Sequence, residues 1–260
     1  MPQKLRCTKL GKTFENNGLS QPVLENLDFK LDETEFLSLI GPSGCGKSTL
    51  LRIVAGLTKP SSGEVEIFSN DSGGLKSAMV FQDFGLFPWF TVINNVAFGI
   101  STRISRTEKH DRCQSVLDQF GLSEFANYYP HQLSGGMRQR VGIARAYVSE
   151  AEILLMDEPF GSLDAQTKII MQEELTAFHR TKKRTILYVT HDIDEALKMS
   201  DRILVMSPRP GRIVDDICLD LLNGVNRNTK EERLLFLAKC KQRIWDKLKA
   251  DVKVNITSLQ

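Results

Sequence analysis

Gly41-Pro42-Ser43-Gly44-Cys45-Gly46-Lys47-Ser48-Thr49 is the stretch that decides the fold of this chain. It fits the pattern G-x-x-x-x-G-K-[ST], in which the glycines let the backbone curl so that successive N–H groups point at phosphate oxygens. An apolar run precedes it as a buried strand would, and residues 48–55 follow it as a helix whose positive end faces the same anion. Lys47 supplies a charge for the β- and γ-phosphates, and the Ser48 hydroxyl is a ligand for Mg²⁺. The segment therefore predicts a nucleotide site; the alternative is a glycine-rich turn before a helix.

The composition is that of an ordinary globular protein. The 260 residues are 41% hydrophobic and 25% charged, enough for one large domain or one domain with an inserted lobe. A net charge of only +2 gives no electrostatic case for nucleic-acid binding. The five cysteines are scattered without a C-x-x-C pair, so we expect a reducing cytosol rather than a disulfide or metal framework. With no signal peptide and no run of eighteen apolar residues, any membrane role is expected to come through a partner.

Alternating strand and helix patterns predict an α/β fold. We expect a P-loop NTPase core with a mainly parallel sheet, an N-terminal antiparallel β subdomain built from strands near 5–14 and 23–31, and an inserted α-helical lobe. The predicted domains are a nucleotide-binding domain over 1–220, with its lobe at about 83–150, and a C-terminal helical extension over 221–260. The extension reads as an amphipathic helix from about 229 to 249. The candidates for its buried face are Leu234, Leu237, Ile244, Trp245 and Leu248.

A second nucleotide motif ends another strand. Residues 153–156 are apolar, and Asp157 and Glu158 follow at the carboxyl end, where ligands bind in open α/β sheets. The sequence predicts that Asp157 holds Mg²⁺, directly or through water, and that Glu158 orients and deprotonates an attacking water. The alternative is a strand end capped by solvated acids.

A third motif opens a helix within residues 131–140, His-Gln-Leu-Ser-Gly-Gly-Met-Arg-Gln-Arg. A first turn of Ser-Gly-Gly offers bare N–H groups, a hydroxyl and a positive helix end, which together make an anion receptor without a lysine. The alternative is a capped helix with incidental glycines. Taken in order with residues 41–49 and 157–158, this segment resembles the signature sequence of the nucleotide-binding subunits of ATP-binding-cassette (ABC) transporters, and the resemblance covers nearly the whole chain.

The resemblance implies a reaction and a first partner. Two copies of such subunits pack head to tail, so that Ser134, Gly135 and Gly136 of one copy close on the γ-phosphate held by the loop of the other. It implies ATP and Mg²⁺ as cofactors and ATP hydrolysis as the reaction. The residues it assigns to catalysis are Glu158, His191, Gln82 and Lys47. The residues it assigns to Mg²⁺ are Ser48, Gln82 and Asp157.

The smaller landmarks of the family each have an ordinary alternative. Phe14 is expected to stack on adenine, but a lone aromatic is also a common core residue. Gln82, expected at Mg²⁺ or the attacking water, is otherwise a surface glutamine. His191, expected to hydrogen-bond the γ-phosphate, is otherwise a helix cap or a packing residue. Ser162 and Asp164 match the loop through which the subunits of the family contact each other.

Two further segments resemble bacterial importers of nitrate, sulfonates, taurine and related small solutes. Residues 87–92, Phe-Pro-Trp-Phe-Thr-Val, lie where the family docks a membrane permease, although these aromatics would equally pack the lobe. Residues 206–213, Met-Ser-Pro-Arg-Pro-Gly-Arg-Ile, read physically as a Pro-bounded turn between strands.

These two segments imply partners and a location. The resemblance implies permease subunits and, indirectly, a solute-binding protein, which would place the chain peripherally on the cytoplasmic face of the membrane. The alternatives are a soluble ABC ATPase not coupled to transport and a scaffold that does not hydrolyse ATP. From the position of Cys45 within the phosphate loop, we also expect its thiol to be alkylated readily unless ATP is bound.

Overall fold

The computed structural model describes residues 2–16, 18–69, 75–82, 85–100, 104–161, 163–219 and 230–257. Its strands are, in chain order, β1 (Gln3–Asn16), β2 (Leu19–Asp32), β3 (Phe36–Ile40), β4 (Ser62–Ile67), β5 (Ser77–Val80), β6 (Ile153–Asp157), β7 (Thr185–Thr190), β8 (Arg202–Met206) and β9 (Ile213–Cys218). Its α-helices are α1 (Lys47–Val54), α2 (Val92–Ala97), α3 (Arg106–Gln119), α4 (Gly135–Val148), α5 (Ala165–Lys182), α6 (Ile193–Met199) and α7 (Lys230–Thr257). Contacts divide the chain into two compact units, Met1–Phe68 with Lys183–Gln260, and Ser69–Lys182.

The first unit contains the parallel sheet that carries the phosphate loop. Its strands lie in the order β7-β3-β8-β9, with β3 parallel to both neighbours and β9 antiparallel at the edge. Every residue of β3 and β7 is buried, as expected for central strands covered on both faces. This arrangement agrees with the α/β fold predicted from the alternating pattern.

The antiparallel sheet of the first unit has the order β2-β1-β4. β1 and β2 have 14 residues each, so both extend beyond the ranges predicted from alternation. The added residues at their distal ends are mostly exposed, and their backbone pairing rather than an apolar pattern continues the strands. The sequence Asn16-Asn17-Gly18 predicts a turn between these strands, but Asn17 lies outside the described residues.

The second unit combines the parallel pair β5 and β6 with helices α2 to α5. Side-chain caps begin several of these helices: Thr91 accepts from Asn94 N, Ser105 from Glu108 N and Ser134 from Met137 N. The helical lobe predicted at 83–150 falls inside this unit; residues 83 and 84 lie outside the described part. The domain division itself stays a prediction.

The C-terminal helix α7 belongs to the core of the first unit. Ile244 is completely buried and Cys240 nearly so, in a cluster with residues of β3, α6, β8 and β9. Two ion pairs fix the helix from outside: Lys241 bonds Asp194 at 2.6 Å, and Arg243 bonds both oxygens of Asp215 at 2.5 and 2.7 Å. Among the described residues, no helix is both long enough and apolar enough to cross a membrane.

The prediction of the buried face of α7 is wrong for two of its five residues. Leu234 is 57% exposed and Trp245 is 47% exposed, whereas Leu237 and Leu248 are partly buried. The predicted face was too wide, because the helix contacts the sheet and α6 along a narrow stripe that includes Cys240 and Phe236.

The neighbouring residues Ile244 and Trp245 give a matched test of this packing. We expect Ile244→Ala to lower the free energy of unfolding by about 2–5 kcal/mol, because it leaves a cavity in the core. Trp245→Ala, a larger truncation on the exposed side, should cost less than about 1 kcal/mol. Urea unfolding followed by circular dichroism measures both. Equal losses would contradict the placement of α7.

Candidate functional site

The phosphate loop joins the end of β3 to the start of α1, and two glycines allow its curl. Gly44 and Gly46 have φ of 78° and 108°, values that favour glycine, and Gly46 is the N-cap of α1. Gly46 also packs against β2, since a Cβ there would lie 2.5 Å from Leu24 Cδ2. The loop is therefore fixed by backbone conformation and by close packing at the same residue.

Lys47 holds its charge inside this curl. Its Nζ donates to Gly41 O at 2.8 Å and to Pro42 O at 3.0 Å, and its side chain is buried. Ser48, in the first turn of α1, is exposed. A buried ammonium, a helix N-terminus and a curled backbone suit a polyphosphate, and the residues predicted for it lie together here.

His191 leaves the sheet beside the start of the loop. β3 and β7 are parallel, with Ile40 opposite Thr190, so that Gly41 and His191 follow neighbouring strand ends. His191 is exposed. Its turn is held by Thr190, whose hydroxyl accepts from Asp192 N at 3.0 Å and bonds the Glu195 carboxylate.

Asp192 completes the turn by capping α6. Its Oδ1 accepts from Asp194 N at 3.0 Å and Glu195 N at 3.2 Å. The cap on α6 is thus Asp192, not His191, which removes one of the ordinary alternatives for the histidine. The Asp192 to Glu195 spacing is a cap pattern that the sequence interpretation missed.

Phe14 lies on β1 with 43% of its surface exposed, so the alternative of a core residue is wrong. The ammonium of Lys12 is 4.8 Å from the centroid of its ring. On the same pair of strands Lys12 is opposite Leu24, the residue that packs against Gly46. The ring is therefore on the sheet that touches the phosphate loop, two residues along the strand from that contact.

In the second unit, Gln82 and Glu158 come together. β5 and β6 are parallel with Val80 opposite Met156, so Gln82 and Asp157-Glu158 follow neighbouring strand ends. A Cβ on Gly161 would lie 3.7 Å from Gln82 Nε2 and 3.9 Å from Glu158 Cβ. The amide and the acid thus flank one glycine, as a shared role at one ligand requires.

The two acids differ in environment. Asp157 is buried, while Glu158 is half-buried. Glu158 also has φ of 44°, a left-handed conformation that costs a residue of this type about 1–3 kcal/mol and is concentrated at functional sites. The turn that holds it is closed by Gly161 N, which donates to Glu158 O at 3.1 Å.

The signature turn begins α4. Ser134 is exposed and is the N-cap, and its Oγ accepts from Met137 N at 3.2 Å, which leaves its O–H to donate elsewhere. Its two glycines differ: a Cβ on Gly135 would meet no atom within 4 Å, whereas one on Gly136 would lie 2.6 Å from Thr167 Cγ2. Gly135 therefore leaves space for a ligand, and Gly136 allows α4 and α5 to approach.

Thr167 connects the signature turn to Asp164. Its backbone N–H donates to Asp164 Oδ1 at 3.1 Å, and Gln166 N donates to the same oxygen at 3.2 Å. These bonds, with that of the Thr167 N–H first, lower the pKa of Asp164, which stays ionised at the start of α5. Ser162, the other predicted residue of this loop, lies outside the described residues.

The aromatic segment 87–90 forms a cluster rather than isolated side chains. The ring centroid of Phe87 lies 5.7 Å from that of Trp89, 5.4 Å from that of Phe90 and 4.6 Å from that of Phe98. Trp89 is 68% exposed and Phe98 61%, while Phe87 and Phe90 are half-buried, so packing of the lobe explains only part of the cluster. The buried amide of Asn95 holds the segment through bonds with Phe87, Phe90 and Thr91 backbone atoms.

A groove of about 570 Å³ adjoins this cluster. Its apolar side comes from α2 and Phe98, and its opposite side carries basic residues of α3. The lining residues are Phe90, Ile93, Asn94, Ala97, Phe98, Arg106, Lys109, His110, Cys113 and Asn127.

The oxygen donors predicted for Mg²⁺ suit that ion chemically. Ser48 offers a hydroxyl, Gln82 an amide oxygen and Asp157 a buried carboxylate at a strand end, all hard ligands. In the described part of the chain no three His, Cys, Asp or Glu side chains cluster as a metal site. A Mg²⁺ ion bound by any of these side chains would depend on phosphate oxygens for its remaining ligands, as it does in nucleotide enzymes.

The expectation that Cys45 is readily alkylated is wrong. Only 1% of its surface is exposed, and burial raises the pKa of its thiol even though Lys47 lies nearby. A buried, protonated thiol is a poor nucleophile. The sequence showed that the residue lies in the loop, but not that its side chain points into the core below it.

Known proteins resemble this chain closely. The family model described as ABC transporter matches residues 24–161. An uncharacterised ABC transporter ATP-binding protein of Methanocaldococcus jannaschii is 44% identical over 234 residues, 89% of this chain and 88% of that protein. The nitrate import ATP-binding protein NrtD of Synechocystis is 42% identical over 220 residues, 84% and 83% of the two chains. The aliphatic sulfonates import ATP-binding protein SsuB of Bacillus cereus is 43% identical over 207 residues, 79% and 82% of the two chains.

A solved structure supports the same relationship. A dimeric ATP-binding cassette in a post-hydrolysis state, bound to ADP and Pi, aligns with a TM-score of 0.72 and 33% identity, covering 82% of this chain and 98% of that chain.

The two signature glycines should respond differently to alanine. We expect Gly136→Ala to lower the melting temperature by several degrees, because its Cβ collides with the stiff side chain of Thr167. Gly135→Ala should leave the melting temperature unchanged and reduce ATPase activity. Scanning calorimetry and phosphate release measure the two effects.

Thr167→Ser supplies the control, since it removes only Cγ2. In the Gly136→Ala background it should restore the melting temperature. A Gly135→Ala variant with full activity would contradict a ligand-facing role for that position.

Proposed function

We propose that this chain, which belongs to the ABC transporter family and is an ATP-binding cassette ATPase, drives import of a small solute of the nitrate, sulfonate or taurine kind. The observation that carries the proposal is the presence of two anion receptors in one chain. One is the loop around the buried Lys47, and the other is the signature turn with its open Gly135. The imported solute rests on the names of two relatives and on the resemblance of residues 87–92 and 206–213.

Charge stabilisation and positioning account for the proposed reaction, because phosphoryl transfer to water requires little else. Lys47 and the loop N–H groups bind the β- and γ-phosphates, and Phe14 stacks on the adenine. When bound, Mg²⁺ neutralises charge on the β- and γ-oxygens; Ser48, Gln82 and Asp157 would hold it. Glu158 acts on the attacking water.

Glu158 is the proposed base. Its half-buried carboxylate follows a strand end beside Gln82, which supports a role in orienting a water and taking its proton. His191 is exposed at the end of β7, which is the neighbour of the strand that leads into the phosphate loop. In the proposed reaction it donates a hydrogen bond to the γ-phosphate. The hydrolysis products are ADP and phosphate, and the proton passes through Glu158 to solvent.

The proposed partners are a second copy and a permease. Ser134, Gly135 and Gly136 of one copy would close on ATP held by the other, so that binding closes the dimer and hydrolysis opens it. The exposed Trp89 and the adjoining groove, with apolar and basic walls, suit an amphipathic helix of a permease carrying acidic groups. This contact would place the chain on the cytoplasmic face of the membrane, with a solute-binding protein as an indirect partner.

Glu158→Gln tests the reaction. It removes the base but preserves size and hydrogen-bonding groups, so we expect ATP hydrolysis to fall by about 10²-fold or more while ATP binding persists. ATP should then convert the variant into a dimer on size-exclusion chromatography. Glu124→Gln changes an exposed acid of the same unit and should match wild type. A Glu158→Gln variant with ordinary turnover would rule out Glu158 as the base.

Deletion of the gene tests the transport function. We expect the deletion strain to lose growth on nitrate or on an aliphatic sulfonate as sole nitrogen or sulfur source. Trp89→Ala should fail to restore growth, because truncating a central interface aromatic costs about tenfold or more in affinity. The purified Trp89→Ala variant should keep wild-type basal ATPase activity. Full growth of the deletion strain on both, with ATPase activity unaffected by membranes, would favour a soluble ATPase instead.

A further inference from the structure

The turn between β8 and β9 is closed by its own hydrogen bonds. Ser207 N donates to Arg212 O at 2.9 Å, and Arg212 N donates to Ser207 Oγ at 3.0 Å. The same hydroxyl donates to the carbonyls of Pro208 at 3.0 Å and Pro210 at 3.2 Å. With two prolines limiting φ, residues 207–212 form a stiff turn. The ATPase reaction proposed above assigns no role to this turn.

Gly211 attaches this turn to β2. Its N–H donates to Val23 O at 2.9 Å, and its carbonyl accepts from Glu25 N at 3.0 Å, which pairs it in parallel with Leu24. Arg212 adds an exposed ion pair with Glu25 at 2.7 Å. Leu24 is the residue that packs against Gly46 of the phosphate loop.

Gly211 also touches the phosphate loop itself. A Cβ on Gly211 would collide with the carbonyl oxygen of Cys45 and would lie 2.5 Å from Met206 Cε. Gly211 is not among the residues with positive φ, so space rather than backbone conformation requires glycine here. The loop glycine Gly41 is equally constrained, since its Cβ would lie 2.8 Å from Cys45 Sγ and 2.9 Å from Met206 Cβ.

The direction of the Cys45 carbonyl determines the direction of a loop donor. A trans peptide is planar, with its C=O and N–H pointing to opposite sides. The Cys45 carbonyl points at Gly211, so the N–H of Gly46 points away from the turn. A displacement of this peptide would therefore re-aim Gly46 N–H and shift the start of α1, which carries Lys47.

We propose that Gly211 is a positioning residue for nucleotide binding. Through Gly211, the 207–212 turn packs against the Cys45 carbonyl and fixes the orientation of the Cys45–Gly46 peptide of the phosphate loop. It acts through the loop and touches no phosphate. The role rests on nucleotide binding alone and is independent of the transported solute and of the permease.

Gly211→Ala is the direct test. The added carbon meets a backbone carbonyl, which cannot rotate away, so the loop must move. We expect the Kd for ADP, measured by isothermal titration calorimetry, to rise about tenfold or more, since loss of one hydrogen bond to a charged phosphate costs that order. The KM for ATP should rise with it.

Alkylation of Cys45 reports the loop movement itself. Peptide-resolved mass spectrometry after iodoacetamide treatment should show Cys45 modified at least about fivefold faster in Gly211→Ala than in wild type, because a loosened loop exposes a buried thiol. Cys218, which is exposed on β9, is the internal reference and should react equally in both proteins.

Gly99→Ala is a matched control for simple destabilisation. Its Cβ would collide with the carbonyl oxygen of Arg145, the same kind of clash but in the second unit. It should lower the melting temperature while leaving the ADP Kd of the folded protein and the Cys45 rate within twofold of wild type. Arg212→Ala, which breaks only the exposed ion pair with Glu25, should also stay within twofold.

A second variant adds no atoms and so avoids a failure to fold. Ser207→Ala removes the hydroxyl that accepts from Arg212 N, and should weaken ADP binding severalfold; Ser207→Thr should restore it. If Gly211→Ala resembled Gly99→Ala, with a lower melting temperature but unchanged ADP affinity and Cys45 rate, the proposal would be overturned. Loss of transport by Gly211→Ala with normal ADP binding would also overturn it, because the turn would then act through a contact other than the phosphate loop.

Discussion

The buried ammonium of Lys47 is the constraint on which the site depends. A positive charge removed from water is costly unless polar groups surround it, and here the carbonyls of Gly41 and Pro42 do so at 2.8 and 3.0 Å. Those carbonyls converge only because the backbone curls through Gly44 and Gly46. The same curl ends at Gly46, the N-cap of α1, so one conformation both supports the charge and sets the start of the helix whose N-terminus attracts an anion.

Two pairs of parallel strands explain why distant residues meet. Strands that run in the same direction end at the same edge, so register decides which side chains gather there. Ile40 is opposite Thr190 in the first unit, and Val80 is opposite Met156 in the second. His191 beside the phosphate loop, and Gln82 beside Glu158, follow from those two pairings.

Elements whose structure depends on their own residues were predictable from the sequence. β7 and β8 are each a short buried apolar run with polar boundaries, a pattern that by itself indicates a buried strand. Ser134 begins α4 as an N-cap, which its side chain and the following glycines favour. The phosphate loop was predictable because its glycines serve the backbone of the same segment.

The contacts between distant segments were not predictable. Cys45 is buried because segments distant in the sequence pack against the loop. Position 211 requires glycine because a Cβ there would collide with the carbonyl oxygen of Cys45, 166 positions earlier in the chain. Trp245 lies on the exposed side of α7, although its size favours burial, since the sheet contacts only a narrow stripe of that helix. A sequence pattern indicates which face of an element is apolar, but not how much of that face another element covers.

The signature turn shows how such contacts join motifs that look independent. Gly136 lies against the side chain of Thr167, and the N–H of Thr167 bonds Asp164. Since branching at Cβ restricts χ1 of Thr167 and its side chain also hydrogen-bonds Asp164, a shift of Asp164 moves the surface against which Gly136 rests. The start of α4, with Ser134 and Gly135, is thus mechanically linked to the start of α5. Gly135 and Asp164, which no sequence motif connects, therefore lie at the starts of one packed pair of helices.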